Sequence, residues 1–174
     1  MENETTIIQI EWVGPLTFEE AAECNTDTDF GIYQIYGSHR VYGSHVLLYI
    51  GRSEGHFGSR IRNHDWWLDS HHTHEAHGRI SVHLGKLKGV TQPPDDVWNR
   101  HIQLAERLLI YAHLPAVNKQ KGYLGVDAEL QNVHVCNWGR MADLLPEVSG
   151  LRWTDKCFAT PMNIYRETSE GTPV

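Results

Sequence analysis

The alternation of apolar and polar positions divides this chain into short strands and a few helices. Residues 6–13 are dense in β-branched side chains (Thr6, Ile7, Ile8, Ile10, Val13) and predict a strand, closed by Gly14-Pro15. Thr17-Phe18-Glu19-Glu20 has the Thr-x-x-Glu form of a capping box, so a short helix should follow and run to about Cys24. Residues 30–36 and 46–51 read as two further strands. Between them Tyr36-Gly37-Ser38-His39 is repeated as Tyr42-Gly43-Ser44-His45, too short for a solenoid unit and rich enough in Gly and Ser for a hairpin connection.

Ser59 is the expected N-cap of a helix carrying Arg60, Ile61, Arg62, Asn63 and His64, with Arg60 and His64 four apart and so on one face. Ile80, Val82 and Leu84 alternate with polar or small residues over 78–87 and predict another strand. Pro93, Pro94, Asp95 and Asp96 open the clearest helix. At about 100° per residue, Trp98, Ile102, Leu104, Ala105, Leu108, Leu109 and Ala112 fall on one arc, with Glu106 at its edge. Pro115 should end it. Residues 138–145 are expected to form a short helix that Pro146 interrupts, and 167–174 a loose tail.

With 174 residues, 40% of them hydrophobic, the chain has material for one core rather than two. No apolar run spans a bilayer and the first residues lack the basic start of a secretory signal, so a cytoplasmic location is expected. Cys24, Cys136 and Cys157 are odd in number and far apart, which argues against a disulfide framework or a cysteine zinc site. A net charge of −7 argues at first against a polyanionic partner. Yet residues 1–30 hold eight acids and no Lys or Arg, leaving 14 acids against 15 basic residues elsewhere. The acidic start is expected to be a solvated, solubilising extension rather than a DNA-mimicking arm.

Five landmarks occur in order: Gly31-Ile32-Tyr33 on one strand, Tyr49-Ile50-Gly51 on the next, Arg60 with His64 on a helix, Glu106 on a later helix, and Asn118 after it. Over residues 30–120 the chain thereby resembles the GIY-YIG endonuclease family. The resemblance implies an α/β (α+β) fold whose core is a three-stranded antiparallel sheet flanked by helices. Residues 1–29 would then form an N-terminal extension of strand and short helix, and 121–174 a C-terminal one. The stretch between the first two strands is somewhat long, and 65–77 looks like an insertion.

Phosphodiester hydrolysis needs a positioned water, cations or donors for the charge that builds on phosphate, and help for the departing oxygen. The resemblance implies a one-metal reaction in which Tyr33 orients or deprotonates water, with Tyr49 on the same phosphate and His64 relaying a proton. A phenol near pKa 10 needs a neighbouring cation for the phenolate role, and Arg60 is the candidate; its planar fork also suits a phosphate oxygen. Glu106 is the expected ligand for Mg²⁺ or Mn²⁺, hard cations that accept few protein carboxylates and keep water and phosphate in the remaining positions. The bland alternative pairs it with Arg107 or Arg100. Asn118 would brace the site or touch the substrate backbone, though an Asn just after Pro115 also suits a turn.

Arg52, Arg62, Lys86, Lys88, Lys119 and Lys121 are the expected DNA-backbone contacts. The run His71-His72-Thr73-His74-Glu75-Ala76-His77 matches no standard zinc spacing and reads as a solvated loop. The expected function is a Mg²⁺-dependent DNA endonuclease, of restriction or defence type, with a homodimer the simplest way to cut both strands. The alternatives are a repair or mobile-element nuclease, or a nucleic-acid-binding module without turnover.

Overall fold

The computed structural model describes residues 5–27, 30–63, 80–89, 94–118 and 125–154. His64, Lys119, Lys121, Cys157, the histidine run at 71–77 and the tail at 167–174 lie outside them. In chain order the elements are β1 (Thr6–Leu16), α1 (Phe18–Ala22), β2 (Gly31–His39), β3 (Gly43–Ser53), α2 (Phe57–Arg62), β4 (Ser81–Lys88), α3 (Asp95–His113), β5 (Val133–Gly139) and β6 (Glu147–Ser149). Short 3-10 turns at Leu130–Asn132 and Gly150–Trp153 flank β5 and β6.

All six strands join one sheet in the order β3-β2-β4-β1-β5-β6, curled as a half-barrel. The architecture is therefore not the expected three-stranded antiparallel sheet flanked by helices. β2, β3 and β4 do pair antiparallel at one end, but β1 pairs antiparallel with β4 on one side and parallel with β5 on the other. The stretch expected to be a solvated extension supplies this interior strand. Ile8, Ile10 and Trp12 alternate inward, while Glu11 and the acids of α1 stay exposed. β1 also runs past Gly14-Pro15, because the register shifts between Val13 and Leu16; a bulge is where a strand tolerates a residue without an N–H. Downstream, the expected helix over 138–145 is absent. Residues up to Gly139 belong to β5, whose inward Val133, Val135 and Asn137 bury beside β1.

Alternation along β2 sends neighbours to opposite faces, both of them covered. Ile32 joins Ile8, Ile10, Trp12, Ile50 and the buried side of α3 in one core, and Tyr33 joins Ile35, Val82, Leu84, Phe57 and Ile61 in the other. α1 and α2 cover this second face. The capping box at Thr17 forms as expected, with Glu20 N to Thr17 Oγ1 at 3.2 Å and Thr17 N to Glu20 Oε2 at 2.7 Å. α3 carries Asp95 and Asp96 in its first turn, where their charge opposes the helix dipole, and it ends at Leu114 in the left-handed region before Pro115. Residues beyond that end cover the free edge of β3: Ala116 N donates to Leu47 O and Val117 N to Leu48 O.

Among the described residues neither Cys24 nor Cys136 is in a disulfide. Among the described residues no helix is long and apolar enough to cross a membrane.

Candidate active site

Strand register places the two phenols. Tyr33 lies opposite Gly51 and Ile35 opposite Tyr49, so both tyrosines project from the same face. Their rings stack with centroids 6.0 Å apart at 30°. Gly51 makes this possible: a Cβ there would meet the Tyr33 hydroxyl at 2.6 Å and the Tyr49 ring at 2.5 Å. Gly31 has a different reason. Its φ of +145° and the approach of the Gly85 carbonyl leave no room for a side chain where β2 meets β4.

α2 delivers Arg60 to the same place. Phe57 and Ile61 are buried and fix the helix on the sheet, and Gly58 N donates to Cys24 O at 2.8 Å. The N-cap is His56, not Ser59; Ser59 lies inside the first turn with its hydroxyl toward Asn25 Oδ1 at 3.3 Å. The buried Phe57 starts the helix three residues earlier than capping chemistry suggested.

Glu106 is 3% exposed on α3, and its partner is Arg52, which donates from Nη1 to Oε2 at 2.8 Å. Arg52 Nε also donates to Glu54 Oε1 at 3.0 Å, and Gln103 Nε2 donates to that same oxygen at 3.2 Å. Arg107 and Arg100 instead pair with Asp127 and Glu129 beside α3. Tyr49, Arg52, Glu54, His56, Arg60 and Glu106 line one open cleft of about 520 Å³. Tyr33 packs beneath Tyr49, close enough for Arg60 and Glu106 both to act on its ionisation.

Burial decides the charge state of the phenols. Desolvation raises the Tyr33 pKa far above its ordinary value, Tyr49 and Glu106 add to the rise, and Arg60 opposes it without reversing it. Tyr49 is raised as well, by burial first and Glu106 next. Arg60 therefore does not produce the expected phenolate; both residues present O–H groups. Among the described residues the buried Tyr33 hydroxyl makes no hydrogen bond of good geometry, with Arg60 and Tyr49 its polar neighbours. A phenol so placed costs about 1–3 kcal/mol unless a ligand oxygen or water satisfies it.

That buried hydroxyl lies close enough to the buried Glu106 carboxylate for the two to interact. One carboxylate with water and substrate phosphate is a sufficient Mg²⁺ ligand set, and Glu106 fits it. Among the described residues no group of three or more His, Cys, Asp or Glu side chains forms a closed metal cage. Arg52 is the cation that the structure seats against Glu106.

Asn118 is a brace. Its Oδ1 accepts Ile50 N at 2.9 Å and its Nδ2 donates to Ile50 O at 2.8 Å, holding the strand residue between Tyr49 and Gly51. Of the expected DNA contacts, Arg52 is committed to the two glutamates and Lys88 to Glu11 at 2.7 Å, while Arg62 is exposed on α2 and Lys86 sits on β4 opposite Glu11. The sequence reading missed Glu54 and His56. The signal was their position: a loop of three residues joining the Tyr49-Ile50-Gly51 strand to the Arg60 helix must face whatever those two elements enclose. No family model, curated protein or solved structure matches the chain.

Proposed function

We propose that the chain is a Mg²⁺- or Mn²⁺-dependent DNA endonuclease of the GIY-YIG type. One observation carries the reading: Tyr49, Arg60 and Glu106, drawn from β3, α2 and α3, line a single cleft, with Tyr33 of β2 packed directly beneath Tyr49. Its volume suits a nucleotide unit.

In this reading a scissile phosphate enters between Arg60 and Tyr49. Arg60 donates to a nonbridging oxygen and offsets the charge that develops as water adds to phosphorus and the P–O3′ bond breaks, the proton that water gives up to solvent being balanced by the one the departing 3′ oxygen takes up. The Tyr33 hydroxyl supplies an oriented donor and acceptor at the water's position, and the entry of that water gives the buried group a partner of good geometry. Tyr49 bounds the cleft and holds the Tyr33 ring in place. Glu106 is the residue that would hold the divalent cation, whose chemistry there is to stabilise the leaving oxygen. Asn118 fixes the strand on which Tyr49 stands. The products implied by the resemblance are 5′-phosphate and 3′-hydroxyl ends.

The test is plasmid DNA incubated with purified chain and Mg²⁺, then with EDTA. Metal-dependent cutting that Glu106→Ala and Arg60→Ala abolish, with binding of DNA largely retained, is the expected result; full activity in either variant overturns the assignment. Discrete fragments point to restriction and a smear to a nonspecific or structure-specific nuclease. A second reading, a nucleic-acid-binding module without turnover, draws support from the Arg52 guanidinium seated on Glu106. No cutting under any divalent cation, with DNA binding intact, selects it.

A further inference from the structure

We propose that the tip of the β2–β3 hairpin is a stacking platform for an unpaired nucleic-acid base; the proposal rests on the nuclease reading and gives it a substrate contact outside the cleft. The two strands pair from Gly31 with Ser53 out to His39 with Gly43, leaving Arg40, Val41 and Tyr42 as the turn. Hairpin turns are ordinarily made of Gly, Asn, Asp or Ser. Here Val41 is 79% exposed and Tyr42 66%, the two highest values for large hydrophobic side chains among the described residues. Neither has a core to join at that end of the sheet.

The tip is built to hold its shape. His39 Nδ1 accepts the N–H of Val41 at 3.2 Å and of Tyr42 at 3.4 Å, and its ring lies on the Tyr42 ring with centroids 4.7 Å apart at 24°. At the base of the turn His45 takes a left-handed conformation with φ of 57°, its ring stacked on buried Tyr36 at 5.4 Å. An aromatic ring held in one orientation loses little entropy when a base settles on it.

Charge favours the same occupant. In a chain with 22 acids, residues 30–53 contain no Asp or Glu, while Arg40, Arg52, His39 and His45 lie within them. A polyanion following β3 from the cleft to the tip meets no carboxylate of either strand. Tyr42, the residue just before β3, and Tyr49 within it are seven residues apart, about 23 Å at roughly 3.3 Å per residue. That is about seven nucleotide steps at ~3.4 Å each, so one substrate held at the cleft reaches the platform. Base–aromatic stacking is tolerant of sequence and requires an unstacked base, which selects single-stranded or distorted DNA over blunt duplex.

The experiment is fluorescence anisotropy of the full chain with a labelled single strand and a labelled duplex, in EDTA so that nothing is cut. Tyr42→Ala should weaken single-strand binding about tenfold or more, and Tyr42→Phe should restore it to within about twofold, because the ring and not the hydroxyl makes the contact. The salt dependence should keep its slope, since no phosphate contact is removed. Binding by Tyr42→Ala equal to wild type overturns the platform and leaves the nuclease reading standing. A loss of affinity that tracks dissociation of a dimer in sedimentation overturns it in favour of a contact between two copies of the chain. Failure of the wild-type protein to bind any DNA overturns both readings together.

Discussion

Arg52 Nη1 donates to Glu106 Oε2 at 2.8 Å, so the carboxylate best placed to hold a divalent cation is already neutralised by a cation of the protein. A guanidinium and a metal ion compete for the same oxygens, and the ion must displace a contact that is largely shielded on the glutamate side, where the side chain is 4% exposed. Arg52→Met should therefore bind Mn²⁺ more tightly than wild type by calorimetry. Without metal it should unfold at lower urea, with a loss of roughly 1–3 kcal/mol, since removing one partner strands the other charge while Arg52 itself is partly solvated. Metal binding by Arg52→Met no tighter than wild type would show that the pair does not guard the site. Glu106→Gln, which removes the carboxylate proposed as ligand, should bind no metal in either background.

Gly51 offers a test in which no polar group changes. A methyl there meets the Tyr33 hydroxyl at 2.6 Å and the Tyr49 ring at 2.5 Å. The rings must move, because the strand backbone is pinned by Asn118. Gly51→Ala should cost about 1–3 kcal/mol of stability as an overpacked site. Cleavage should fall at least tenfold, mostly in kcat, as a displaced donor costs transition-state rather than ground-state binding. An unchanged kcat in a folded Gly51→Ala protein would remove the phenol pair from the chemistry.

What could be read in the chain and what could not follows the range of the interactions. β2, β3 and α3 declare themselves locally, through alternation and a helical period, and the same local signals place Tyr33, Tyr49, Arg60 and Glu106. β1 was legible as a strand but not as an interior one, because its parallel partner β5 begins at Val133, where Thr6 meets it across most of the chain. β5 itself hides behind His134, Cys136 and Trp138 on its outer side and a buried Asn137 on its inner one. Asn137 is satisfied by Leu145 O at 2.8 Å and by Trp12 Nε1 at 2.9 Å, and the second of these lies far outside any local window. Glu106 was weighed against Arg107 and Arg100 because they are close in sequence. Successive helical positions point about 100° apart, so Arg107 turns away toward Asp127, and the true partner comes from a strand.

Asn118 joins the end of α3 to β3 through two hydrogen bonds to Ile50. Asn118→Ala should lose about 1–3 kcal/mol in urea denaturation, since it leaves both backbone groups of an inner residue unpaired. Asn118→Asp is the sharper variant: it keeps the acceptor for Ile50 N and turns the donor to Ile50 O into a second acceptor. It should be at least as destabilised as the alanine protein, and stability equal to wild type would mean the brace is ornamental.

The Tyr33 hydroxyl should also reveal its burial without any substrate. Burial pushes Tyr36 up to about 12 and Tyr33 further still. In a spectrophotometric titration, Tyr33→Phe should therefore lose no tyrosinate absorbance at pH 11 relative to wild type. A missing increment near pH 10 would mean that solvent reaches the phenol, and that a phenolate is available after all.

Acid should loosen the contact between α3 and the segment before β6. His113 Nδ1 lies 2.9 Å from Leu109 O, and Leu145 N donates to Nε2 at 2.9 Å, an arrangement that requires a neutral ring with its proton on Nδ1. Burial lowers the His113 pKa from 6.5, outweighing the Leu109 contact that raises it, and burial lowers His83 in the same way. Because the unfolded chain binds these protons at a higher pH than the folded one, stability rises with pH through this window. The contribution is fully present above the unfolded value of 6.5 and is lost as pH falls toward the lowered folded value. Urea midpoints measured from pH 8 down to about pH 5 should fall below about 6.5. His113→Gln, which cannot be protonated, should flatten part of that slope, and His113→Gln combined with His83→Gln should flatten more. An unchanged slope in the double variant would assign the acid sensitivity to carboxylates elsewhere.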